Sequence, residues 1–141
     1  MISITQIVVR YQETDQMGIV HHSVYPVWYE VARTDFCRKM GMSYSKMEEV
    51  GLMTPIYEVH SCFKAPAKYE DVLTVEAFLN KISEYRLEFF YRIFKDDILI
   101  HTGSTTHVFV GKEDFKLLNI KKRFPEIYDM LKNTVEKEKM E

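Results

Sequence analysis

The sequence contains no apolar run near the roughly 20 residues that a membrane-spanning helix requires, and its first residues, MISITQIVVRYQ, lack the basic and then apolar regions of a secretory signal. It has no GxxxxGK[ST], GxGxxG or GxSxG, so nucleotide hydrolysis, dinucleotide binding and serine hydrolase chemistry are without support. It has no CxxC, HxxxH or HExxH. The two cysteines, Cys37 and Cys62, stand alone, which fits a reducing, cytoplasmic setting better than a disulfide scaffold. His21, His22, His60, His101, His107 and Cys62 offer nitrogen and sulfur, but at no metal-ligand spacing, so no metal and no other cofactor is expected. The formal charge of -2 leaves no basic footprint for nucleic acid. No internal repeat or Pro/Gly/Ser-rich linker divides the chain. The one charge run, EKEKME at the end, is mixed in sign and reads as a solvated helix end.

What is present is bulky apolar material. Nine Phe, nine Tyr and eight Met in 141 residues suffice for one domain, 1–141, with one core. Residues 2–10 are β-branched and partly alternating, which predicts a strand. From about Ser23 to Met40 the period changes. Val24, Trp28, Ala32, Phe36 and Met40 recur every four residues, with Val27 and Val31 beside them, predicting a long helix with a broad apolar stripe. Ser23 is the expected N-cap, Pro26 falls in the tolerant first turn, and Gly41 is the expected stop.

Shorter helical signals follow around SYSKMEEVG, and then strands. Tyr57, Val59, Ser61 and Phe63 share one face, Leu73, Val75, Ala77 and Leu79 another, and Tyr85, Leu87, Phe89, Tyr91 and Ile93 a third. KDD at 95–97 predicts a hairpin into ILIHTGSTTHVFV. Pro125 opens a closing amphipathic helix over 124–136. A helix apolar over much of its girth needs wide cover, so the expected fold class is α+β: a curved antiparallel sheet wrapped around a long central helix. Such a sheet has edges that an oligomer would hide.

The stretch YQETDQMGIVHHSVY, Tyr11 to Tyr25, carries the densest polar chemistry. Asp15 precedes a helix start whose first N–H groups lack intrahelical acceptors and whose positive end faces the loop. Gly18 allows a positive φ or a close backbone approach. A carboxylate beside such donors has the layout of acyl transfer, a nucleophile or general base next to an oxyanion hole. By spacing alone, Asp and Thr before a helix are also ordinary caps and turn formers, and both readings stand. His22 has the same two readings: it orients a substrate, or it bonds backbone at the helix start. Glu30, on the helix, reads best as a surface or interface carboxylate near Arg33 or Arg38. Arg10, Lys64, Lys68, Lys81 and Arg86 are scattered and read as solvated faces.

VRYQETDQMGIVHHSVYPVWYEVARTDF resembles the opening of the 4-hydroxybenzoyl-CoA thioesterase family of hotdog proteins, most of all its YbgC-like acyl-CoA thioesterase branch, and KAPAKYEDVLTVEAFL resembles a later strand entry of that family. The resemblance runs over nearly the whole chain. It implies the hotdog fold and hydrolysis of an acyl-CoA, or of an acyl carrier protein thioester, to a carboxylate and a free thiol. It implies Asp15 as nucleophile or general base, His22 at the position whose backbone N–H binds the thioester oxygen, and Tyr11 as an active-site tyrosine. Gly18 and Val20 would line the acyl-thiol. His21 stands where the family often has a bulkier aromatic, which alters the expected shape of the acyl pocket. The family's contacts to the CoA phosphates have no clear motif here. The resemblance also implies a homodimer or homotetramer with sites at the subunit interface. The alternative from another class is a hotdog module that holds an acyl thioester without cleaving it.

Overall fold

In the computed structural model, which describes residues 1–136, Tyr25–Met40 form one helix, α1, entered through a 3-10 turn at His22–Val24. The entry differs from expectation by a side chain. His21, not Ser23, caps the turn, its Nδ1 accepting the Ser23 N–H at 3.2 Å. Pro26 lies in the first turn of α1. Gly41 closes the helix at φ 102°, its N–H donating to the Cys37 and Arg38 carbonyls.

The buried face of α1 holds two adjacent rows, Trp28, Ala32 and Phe36, and Tyr25, Tyr29, Arg33 and Cys37. Val27 and Val31, which hydropathy groups with the stripe, are 50% and 45% exposed. The helix is rolled the other way because the tyrosines and the arginine bury more surface per residue, and the Tyr29 hydroxyl and Arg33 Nη1 find partners in the sheet.

That sheet has the order β1 (Ile2–Val8), β4 (Val72–Ile82), β5 (Arg86–Lys95), β6 (Ile98–Val108), β3 (Ile56–Phe63), antiparallel throughout. β2 (Leu52–Met53) pairs with β7 (Val110–Gly111) as a separate ribbon after the short helix α2 (Tyr44–Glu49). Two helices, α3 (Ile120–Arg123) and α4 (Pro125–Thr134), close the fold, with Ile127, Tyr128 and Leu131 buried. The EKEKME run lies, beyond Glu136, outside the described residues. No helix among the described residues is long and apolar enough to cross a membrane.

Alternation decides which side of each strand is inside. Leu73, Val75, Ala77 and Leu79 are fully buried beneath α1, and Leu87, Phe89, Tyr91 and Ile93 continue the same inner face. Tyr85 precedes β5 and stays half exposed. The 95–97 turn joins β5 to β6, with Asp96 at φ 55°. All eight residues of β3 are exposed: it is an edge strand, which α1 touches at Ser61 and Phe63 without covering it.

A polar chain crosses the core. Arg33 donates to the Tyr91 hydroxyl at 3.1 Å, Tyr91 meets Thr105 Oγ1 at 2.6 Å, Thr105 meets His107 Nε2 at 2.9 Å, and His107 Nδ1 meets the Thr54 carbonyl at 2.9 Å. Because a carbonyl only accepts, Nδ1 carries the imidazole proton and Nε2 accepts from Thr105. Burial pushes the His107 pKa down to about 4, opposed by the Thr54 bond and aided by the nearby Arg33 charge, and burial does the same for His101. Both histidines are therefore held neutral in the folded state.

These histidines make stability pH-dependent in a defined window. Their folded pKa values lie below the ordinary 6.5, so the unfolded chain binds more protons on acidification. Their contribution is complete above pH 6.5 and is lost as pH falls through about 4. Calorimetric melting temperatures should decline steadily between pH 6.5 and 4. Asp35, drawn down to about 2 by hydrogen bonds from Thr5, then Lys39 and Arg38, adds its loss only at lower pH. A flat melting temperature from pH 7 to 4 would contradict the neutral-histidine core.

Candidate active site

The polar stretch is built as a small loop pinned at both ends. At its entry, the 3-10 turn Tyr11–Glu13 buries Glu13, whose carboxylate accepts from the Arg10 N–H at 2.8 Å and from Trp28 Nε1 at 3.0 Å. Burial raises the Glu13 pKa, but the bonds from the Arg10 backbone and side chain and from Trp28 outweigh it, and the net shift is downward. At its exit, the Glu13 carbonyl accepts the His21 N–H at 2.9 Å. Thr14 and Val20 bridge across the neck. Val20 is buried, and its N–H donates to the Ala67 carbonyl.

Between these anchors Asp15–Ile19 forms the free tip. The Asp15 N–H donates to the Ile19 carbonyl at 2.8 Å, and the Gly18 N–H donates to the Asp15 carbonyl at 2.9 Å. Gly18 sits at φ 80°, the left-handed conformation that the turn requires. Asp15 is half-buried. Its Oδ1 accepts the Met17 N–H at 2.9 Å, and Oδ2 has no hydrogen-bond partner among the described residues. The carboxylate is thus held in one orientation with an oxygen to spare.

Across the neck lies the entry to α1. Ser23 N–H is used by His21 Nδ1 and Val24 N–H by the His21 carbonyl, whereas the His22 N–H meets no acceptor among the described residues. The His22 side chain is exposed, its ring against that of His21 with centroids 4.2 Å apart. Short connections thus join the Asp15 loop, Gly18 and Val20 to the His22 turn. Tyr11 is not brought to them: it is 76% exposed, and its ring packs edge-on against Tyr69. Glu30 is exposed on α1 and makes no ion pair with Arg33 or Arg38 among the described residues. Arg38 instead pairs with Asp35, and Arg33 faces Tyr91.

Glu13 is the residue that sequence reasoning missed. Its signal was its place two residues before Asp15, where an exposed glutamate would look the same. Its tryptophan partner lies fifteen residues on. The histidines read as loose metal candidates have separate fates. His101 and His107 are core residues, and His60 meets Glu58 on the edge strand. No group of three or more His, Cys, Asp or Glu side chains at metal-binding range occurs among the described residues.

Comparison with known proteins agrees with this architecture. Residues 9–134 match the family model described as the thioesterase-like superfamily. YneP of Bacillus subtilis (strain 168), provisionally named an acyl-CoA thioesterase, is 35% identical over 126 residues, covering 89% of this chain and 91% of that protein. The acyl-CoA thioester hydrolase YbgC of Escherichia coli O157:H7 is 28% identical over 85 residues, covering 60% of this chain and 63% of YbgC. Among solved structures, a DHNA-CoA thioesterase from Staphylococcus aureus superimposes with a TM-score of 0.89 at 34% identity, covering 94% of this chain and 89% of that one. With a five-stranded antiparallel sheet packed on one long helix, and a family match over nearly its full length, the chain belongs to the thioesterase-like superfamily of hotdog-fold thioester hydrolases.

Proposed function

We propose that this protein hydrolyses acyl-CoA thioesters, with Asp15 as nucleophile or general base and the His22 N–H as oxyanion donor. The observation that carries the reading is the pairing of a loop carboxylate that keeps one oxygen free with an unpartnered N–H at the entry of α1. The thioester carbonyl binds at the His22 N–H, where the positive end of the helix stabilises the charge that develops on oxygen. Asp15 either attacks the carbonyl carbon, giving an anhydride that water then opens, or takes a proton from the attacking water. On either route the C–S bond breaks, the thiolate takes up a proton, and a carboxylate leaves. Gly18 lets the loop backbone approach the substrate, and Val20 anchors that loop. The His22 ring and Tyr11 lie on the solvent side, where they would contact the CoA half of the substrate. DHNA-CoA, the substrate named for the S. aureus structure, is the first to assay.

The assembly we propose is a homodimer, or a tetramer built from it, joined along β3. That strand offers unpaired backbone groups together with exposed Ile56, Tyr57, Val59 and Phe63, a combination that a soluble protein covers. Light scattering at micromolar concentration should return at least twice 16.8 kDa. A monomer that turned over acyl-CoA at full rate would refute this assembly.

Asp15→Asn tests the chemistry. The amide is nearly isosteric and can still accept the Met17 N–H, so fold and melting temperature should hold. Loss of the nucleophile or base should lower kcat by about 10²–10⁴-fold with little change in KM. Glu30→Gln removes an exposed carboxylate from the same region and should keep near-normal turnover. Thiol release from an acyl-CoA panel measures both. If Glu30→Gln abolished turnover while Asp15→Asn kept it, Asp15 would be the wrong base.

A further inference from the structure

The proposed oxyanion donor is a backbone N–H, and its direction is set by whatever holds the turn around it. Here one residue does so. His21 has extended backbone, φ -64° and ψ 141°, and leads into the 3-10 turn His22–Val24. Its N–H donates to the Glu13 carbonyl at 2.9 Å, which fastens it to the neck of the polar loop. Its carbonyl accepts the Val24 N–H at 3.0 Å. Its ring reaches forward two residues, where Nδ1 accepts the Ser23 N–H at 3.2 Å and meets Ser23 Oγ at 2.8 Å. The same ring lies against that of His22, with the planes inclined by 31°.

The N–H groups of His21, Ser23 and Val24 are thus occupied, each in a bond that includes His21. The N–H of His22, between them, has no acceptor among the described residues. The consequence for a substrate carbonyl is positional. A free Ser23 N–H would offer the oxygen a second donor, one residue further from the carboxylate loop. A turn without the ring bond would also be held by the Val24 N–H alone. With the Ser23 N–H taken, the oxygen has one place to bind, at the residue that adjoins the neck. The acceptor role fixes the tautomer as well. A backbone N–H can only donate, so Nδ1 bears a lone pair and the proton of the neutral ring is on Nε2.

The geometry points to His21 as a positioning residue for the reaction: its Nδ1, by holding the Ser23 N–H, leaves the His22 N–H as a single, directed donor to the thioester oxygen. The inference rests on the thioesterase reading, which puts that oxygen at the His22 N–H.

Two substitutions separate the acceptor from the ring. His21→Phe keeps a flat ring to lie on His22 and removes the acceptor. His21→Asn removes the ring and restores an acceptor, since Asn is among the side chains that bond an N–H two residues on at a helix entry. With an acyl-CoA that wild type cleaves, His21→Phe should lower kcat by about three- to thirtyfold, the span over which loss of one such cap acts, with KM nearly unchanged. The fall is smaller than the roughly 10²–10³-fold cost of losing an oxyanion donor outright, because the His22 N–H remains and only its hold is loosened. His21→Asn should regain most of the wild-type kcat. A cap that served the fold alone would move the melting temperature and leave kcat of the folded protein in place.

His21 is exposed, so both variants should fold, which circular dichroism checks. Should His21→Phe fail to fold, His21→Ala removes the same acceptor and takes its place. Undiminished kcat in the folded variant that lacks the acceptor, or a His21→Asn protein as slow as that variant, would overturn the inference. If wild type cleaves no acyl-CoA, the hydrolase reading fails separately. The inference is then read from amide NMR with trifluoroacetonyl-CoA, whose hydrated carbonyl imitates the tetrahedral intermediate. The His22 amide signal should move on binding in wild type and His21→Asn but not in His21→Phe, and a His22 signal that stays still in wild type, or moves alike in all three, would overturn it.

Discussion

The bond from Trp28 Nε1 to the buried Glu13 carboxylate holds the polar loop and the long helix in one frame. A carboxylate removed from water is costly unless donors surround it, and here Arg10 and Trp28 supply them. Because Trp28 belongs to the buried row of α1, the position of the turn before Asp15 is tied to the packing of the core. The Glu13 carbonyl, receiving the His21 N–H, returns the chain to the same point on the other side. The loop therefore hangs from a rigid neck, and its only freedom is in the five residues at its tip. A loop held in such a frame presents its side chains in a fixed orientation.

The two carboxylates near the neck show how environment divides roles. Glu13 accepts several donors and is committed to structure. Asp15, two residues later, gives one oxygen to its own turn and keeps the other free. The chemistry of the side chains is nearly the same, and only the count of donors already bound separates an anchor from a candidate reactant.

The sequence made the central helix, the strand alternation and the polar loop legible because each is a local pattern. The spacing of Trp28, Ala32 and Phe36 and the alternation of Leu73 to Leu79 are consequences of period, and period is written in neighbours. The roll of α1 was not legible. Val27 and Val31 look more apolar than Tyr29 and Arg33, and only the hydroxyls, imidazoles and glycine waiting in β5 and β6 reverse the preference. The burial of Glu13 was hidden for the same reason, since its donors include a tryptophan fifteen residues on. Asp15, Gly18, Val20 and His22 lie near one another because one contiguous stretch carries them. Tyr11, from the same stretch, faces Tyr69 instead, which proximity in sequence could not reveal.

β1 has a consequence for how the molecule comes into being. Ile2 pairs with Phe78 and Val8 with Val72, so the strand that leads into the polar loop finds its partner only after half the chain has been made. During synthesis the N-terminal segment must wait beside an incomplete sheet, and closing so long a loop is entropically slow. The Val20–Ala67 and Glu70–Val9 bonds belong to the same late event. A nascent chain would thus carry the central helix before it carries an organised carboxylate loop, which waits for Ala67, Glu70 and β4.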